Sequence, residues 1–240
     1  MASIDDLESL LARKDAVLAR LDASPALSGR VRELRAWQAA RLAQTYADLS
    51  REPRHAAAVE FFMTDLYGPQ EFARRDRDLR RALHSLKRML PAPALRVLER
   101  AVALDVVSAE LDEKMAEALP AGPITPASYA AAYRSIGNLP ERDRQIDLLV
   151  AIGEDLDRFV RRPWVGIALR AAHVPAHAAG FGVLQDFLER GFDAFRQMPG
   201  AEKLLAAIRE RETRLMEALF SGSNTIPGAD PLWTRAPTTT

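Results

Sequence analysis

The chain of 240 residues has no cysteine. That absence removes thiol nucleophiles, disulfides and every cysteine-ligated zinc or iron–sulfur site. Lysine is almost missing as well, with four against 29 arginines. Together with the alanine excess, this balance points to a GC-rich genome and says nothing of mechanism. Net charge is absent too: 33 basic side chains meet 33 acidic ones, which excludes a uniformly basic nucleic-acid coat. Long apolar runs are also missing. The longest, 163–188, is broken by Arg170, His173, Pro175, His177, Gln185 and Asp186, so no membrane insertion is expected. The opening Met-Ala-Ser-Ile-Asp-Asp is acidic, with no basic run leading into an apolar stretch. It does not read as a secretory signal, and cytoplasmic residence is the expectation.

Alanine (42) and leucine (31) dominate what is present. Leucines recur at helical spacing through most segments, and no alternating strand pattern is found. The expected fold is all-α: a compact bundle of nine to eleven helices, opening with an N-terminal helical hairpin. Residues 1–220 read as a single domain with a weak boundary at the breaker cluster 120–126. Residues 221–240, rich in Gly, Pro and Thr, read as a mobile tail. Proline opens helix after helix, where its missing N–H costs nothing. On that logic Pro163 starts a short helix and Pro175 starts the next, ending near Met198. The stretch from Pro93 to about Leu119 is apolar nearly all round and is the candidate buried helix.

Chemistry would have to come from histidine, carboxylate and arginine. His55 and His177 fall on apolar helix stripes. His173 and His177 have the i, i+4 spacing of half a metal site, although Pro175 between them suggests that they straddle a helix start. No His-Glu-x-x-His motif exists, and Glu52-x-x-His55 is interrupted by Pro53. Asp105 sits in the apolar helix with Asp112 on roughly the same side, which requires a partner or a raised pKa. His55, Asp105, His173, His177 and Phe181 are therefore the ligand-pocket candidates, with no cofactor specified. The small residues of 164–182 would either let helices cross closely or leave room for a ligand.

A second feature is segregated charge. Residues 74–88 carry seven basic side chains against two acidic. Arg77, Arg81 and Arg88 share one face and are the anion-binding candidates. The following helix is acidic, and the two could complement each other. There is no Gly-rich phosphate loop, no aromatic–basic interleaving and no Gly-x-Ser-x-Gly turn, so nucleic acid is not expected as a partner and no catalytic residue is assigned.

The segment Phe61-Phe62-Met63-Thr64-Asp65-Leu66-Tyr67-Gly68-Pro69, with Phe72 and Arg75-Asp76 following, resembles the signature of an uncharacterised proteobacterial family, a domain of unknown function. The run from Phe187 to Met198 resembles the same family, and the likeness extends over roughly residues 30–220. It implies an all-helical bacterial cytoplasmic protein and carries no activity. On physical grounds Phe62 and Leu66 read as core, Tyr67-Gly68-Pro69 as a helix stop, and Asp65, Tyr67, Arg75 and Asp76 as a hydrogen-bonded corner. The leading functional expectation is a non-enzymatic helical binding or regulatory protein, acting through protein partners or self-association. The alternative is a small-molecule or cofactor binder (metal or haem), possibly an enzyme, with a His/Asp-lined pocket. A weaker one is anion or nucleic-acid binding through the 74–88 face.

Overall fold

The computed structural model describes residues 4–61 and 92–223. The basic face with Arg77, Arg81 and Arg88, the family-motif residues Phe62, Asp65, Leu66, Tyr67, Gly68, Pro69, Arg75 and Asp76, and the tail from 224 onward lie outside the described residues. Those described form ten helices and no strand: α1 (Ile4–Ala23), α2 (Pro25–Thr45), α3 (Ala47–Arg51), α4 (Pro53–Phe61), α5 (Ala92–Ala118), α6 (Pro126–Ile136), α7 (Leu139–Val160), α8 (Pro163–Ala178), α9 (Gly182–Arg196) and α10 (Glu202–Phe220). No described helix is long and apolar enough to cross a membrane. The all-α class predicted from periodicity is the observed one.

Contacts group the chain into two units, one formed by 1–45, 99–150 and 206–240, the other by 46–98 and 151–205. In the first unit α1 and α2 pack as neighbours. Val17 and Leu21 from α1 and Val31 and Leu34 from α2 share a core with Met115, Tyr129, Tyr133 and Leu219. Each fully buried leucine contributes ~2 kcal/mol relative to exposure. The middle of α5 is the buried element its composition predicts, with Val106, Val107, Leu111 and Met115 all nearly inaccessible. Thr125 caps α6 in a reciprocal capping box with Ser128, and Pro126 occupies the first turn. Such a cap is worth ~1 kcal/mol. The breaker segment 120–126 lies within this unit, where Arg30 donates to the carbonyls of Pro120 and Gly122.

The acidic side of α5 is matched by α1 and α2. Arg13 donates to both oxygens of Glu110 at 2.9 and 2.6 Å, and Arg20 to both oxygens of Glu113 at 2.6 and 2.7 Å. Lys14 Nζ lies 2.8 Å from Asp105. Arg35 Nε donates to Asp112 at 2.9 Å and Gln38 Nε2 at 3.3 Å. Two-point guanidinium–carboxylate pairs set the rotation of each helix about its axis as well as holding it in place.

In the second unit α3 packs on α4, and α9 packs on both α4 and α8. Small residues make the crossings close. A Cβ on Gly191 would sit 2.8 Å from Phe61 Cζ, one on Gly166 2.9 Å from Phe192 Cζ, and one on Gly153 would run into a Leu205 methyl. The Phe61 and Phe187 rings lie 5.3 Å apart. Phe61, the one described residue of the first segment that carries the family resemblance, thus packs against α9, which holds most of the second.

One expectation fails here. Pro175 does not open a helix; it lies inside α8, and the break comes at 179–181 instead. Proline in the last turn forfeits a single bond, and a stronger stop follows. Gly180 adopts φ +79°. Its N–H donates to the His177 carbonyl at 3.0 Å, and the Phe181 N–H to the Ala176 carbonyl at 2.8 Å. These two bonds are the Schellman arrangement, which favours glycine at the left-handed position.

Candidate functional site

The Gly180 turn reverses the chain so that α9 returns along α8. Residues then meet in pairs placed about symmetrically around that turn. His173 and His177 belong to one helix and share a face, and His177 is not part of the α9 stripe on which periodicity placed it. Opposite them α9 presents Asp186 and Glu189, one turn apart. His177 Nε2 is 2.8 Å from Asp186 Oδ1. His173 Nδ1 is 3.0 Å from both oxygens of Glu189. The two imidazole centroids are 4.5 Å apart. One donor atom each from His173, His177 and Asp186 falls within a set whose members lie no more than 4.8 Å from one another.

Support comes from the layer beneath. Buried Gln185 donates from Nε2 to the Leu169 carbonyl and to Glu189 Oε1, each at 2.8 Å. Gly182 has no side chain where a Cβ would lie 2.7 Å from His177 Nδ1, so the ring can rest on the first turn of α9. Composition alone gave no reason to join Gln185, Asp186 and Glu189 to the histidines. The signal was the spacing His-x3-His, a Gly turn, then Asp-x2-Glu, but it becomes readable only once the break is put at Gly180.

The outer face of α8 differs. Trp164 (49 % exposed), Ile167 (62 %) and Val174 (73 %) recur at helical spacing on the side away from His173 and Gly166. Exposed Ala171 and Ala178 fill the stripe, and exposed Arg170 borders it. α8 itself has no acidic residue. The apolar stripe of a helix is ordinarily its covered face, yet among the described residues this stripe is exposed.

The other sequence candidates go elsewhere. His55 is 2 % exposed, with Nδ1 3.0 Å from Glu52 Oε2. Lys203 Nζ donates to the other Glu52 oxygen at 2.6 Å, and this bond, assisted by the one to His55, holds the Glu52 carboxyl below its ordinary pKa. Asp105 is engaged by Lys14 in the first unit. Phe181 precedes the first turn of α9 and donates its N–H to α8. Of the five pocket candidates, His173 and His177 meet as a pair. Burial pushes the Tyr133 hydroxyl well above its ordinary range, with the Arg142 guanidinium 4.2 Å over its ring; both were unmarked in the sequence reading.

The fold and site define an all-helical protein whose described histidine–carboxylate cluster sits on a helical hairpin. The chain belongs to a family described as a domain of unknown function (DUF8198), whose model matches residues 18–226. No curated protein and no solved structure matches it.

Proposed function

We propose that this is a non-enzymatic helical binding protein, proteobacterial and cytoplasmic, that docks an acidic amphipathic helix of a partner protein on the outer face of α8. The carrying observation is the exposed stripe Trp164, Ile167 and Val174 on α8. Exposed apolar surface of this kind is stabilised by a partner, and a helix laid on a helix engages it through residues spaced i, i+3 and i+7. Charge selects the occupant. Arg170 borders the stripe, Arg162 lies exposed just before the helix, and no acid on α8 offsets them. An acidic rim complements that border, whereas a second copy of the same face would set arginine against arginine.

The lack of native cysteine allows a direct test. A photo-crosslinker attached to Val174→Cys labels this face alone. The expected result is an adduct with one partner whose crosslinked segment is an acidic amphipathic helix. A synthetic peptide of that segment should bind the full chain, at least tenfold more weakly after Ile167→Glu or Arg170→Glu. No adduct, an adduct only with a second copy or with lipid, or peptide binding indifferent to both substitutions would overturn the proposal.

A further inference from the structure

The geometry points to a binding site for one divalent transition-metal ion of the zinc class between α8 and α9, with His173, His177 and Asp186 as ligands and Glu189 as the group that orients His173. The inference does not depend on the docking reading.

The donor set decides the class of ion. Two imidazoles and one carboxylate suit zinc and its first-row neighbours, whereas magnesium and calcium prefer all-oxygen sites. Three protein donors with solvent in the remaining position is the open arrangement of zinc sites that can take an exogenous ligand, whereas purely structural sites use four protein donors. The donor atoms lie within 4.8 Å of one another, and a tetrahedral site with bonds of ~2.0–2.1 Å needs separations of roughly 3.3 Å. The side chains of His177 and Asp186 are about half-exposed, so neither has to disturb a core.

The surroundings are what separate this cluster from a chance surface pairing. A ligating histidine typically gives its other ring N–H to a carboxylate, which sets tautomer and orientation. Glu189 stands in that relation to His173, with both oxygens at 3.0 Å from Nδ1. Glu189 is in turn held by Gln185, which is 5 % exposed and tied to the α8 backbone at Leu169. The chain of bonds therefore runs from a buried amide to the ring. On the other side, Gly182 leaves the space that the His177 ring occupies. The metal-free contact between His177 Nε2 and Asp186 Oδ1 at 2.8 Å already brings two prospective ligands from different helices together. An ion there would cross-link α8 to α9 beside the turn.

The test uses the untagged full-length protein, stripped with a chelator and titrated with Zn2+ against a chromophoric competitor, and separately with Co2+. One ion per chain is expected, and Co2+ should give visible absorption of tetrahedral intensity. His173→Gln, His177→Gln and Asp186→Asn should each weaken Zn2+ binding at least 30-fold. Glu189→Gln should weaken it about tenfold, as for other residues that orient a ligand. Asp186→Asn is isosteric and half-exposed, so its circular dichroism should match that of the parent and loss of binding cannot be put down to unfolding. Absence of stoichiometric Zn2+ binding, or binding that survives these three substitutions at full strength, would overturn the site.

Discussion

Gly191→Ala is a sharp test of the packing that builds the α4–α9 contact. On an isolated helix, replacing an interior glycine by alanine is worth ~1 kcal/mol in favour of folding. Here the new methyl would sit 2.8, 3.2 and 3.4 Å from three carbons of the Phe61 ring. Non-bonded carbons prefer ~3.5–4.0 Å, so ring and helix must part by roughly 0.7 Å. Phe61 has little freedom to yield, being 6 % exposed with its ring 5.3 Å from that of Phe187. Overpacking of this kind costs ~1–3 kcal/mol. After the propensity gain is subtracted, the expected net effect is destabilisation by ~1 kcal/mol, a fall in Tm of about 3 °C for a chain of this size. Urea denaturation of parent, Gly191→Ala, Phe61→Leu and the double variant measures it, with unchanged slopes validating the comparison. In the Phe61→Leu background the overlap is relieved, so alanine should be neutral or stabilising and the cycle should return a coupling of ~1–2 kcal/mol. If Gly191→Ala stabilises the parent by the full propensity gain, Phe61 does not lie over Gly191 and the α4–α9 packing is wrong.

Two further outcomes are expected. Asp105→Asn removes a carboxylate from Lys14, whose side chain is 5 % exposed, and should cost ~2 kcal/mol, the scale of a hydrogen bond between charged groups, in thermal or chemical denaturation. Lys14→Met, which leaves only a partly exposed carboxylate behind, should cost less; equal costs would contradict that asymmetry. Glu52 has its folded pKa lowered, chiefly by Lys203, so its contribution is present above the ordinary carboxylate value and is lost as pH falls through the lowered one. Glu52→Gln should therefore flatten the stability–pH curve on the acid side, below about pH 4.5, relative to the parent. An unchanged acid limb would show that the Lys203 contact does not persist in solution.

Helical class was legible without coordinates because it depends on local terms. Apolar spacing and proline at first turns act within about four residues, and Pro163 opens α8 as that local chemistry predicts. His55 was likewise readable as buried from its stripe. The error at Pro175 shows where local reasoning stops. Proline near a helix end has two acceptable positions, first turn or last, and the choice was settled by the Gly180 arrangement with its two bonds back to α8. Moving that one boundary transfers His177 from the α9 stripe to the face of α8 that meets α9.

Partner choice was beyond the sequence for the same reason. The acids of α5 had nearby basic residues at 74–88 as one candidate match, but Asp105, Glu110, Asp112 and Glu113 are engaged by Lys14, Arg13, Arg35 and Arg20 from α1 and α2. Charge alone does not assign partners; the crossing of α1 and α2 with α5 brings these four pairs within bonding distance. The sequence by itself determined an all-helical chain confined to histidine, carboxylate and arginine chemistry. Tertiary structure decided that two histidines meet Asp186 and Glu189 across a turn, and that Trp164, Ile167 and Val174 of α8 are exposed. Hydrogen bonds within a helix fix the helix, and long-range packing alone fixes what each of its faces meets.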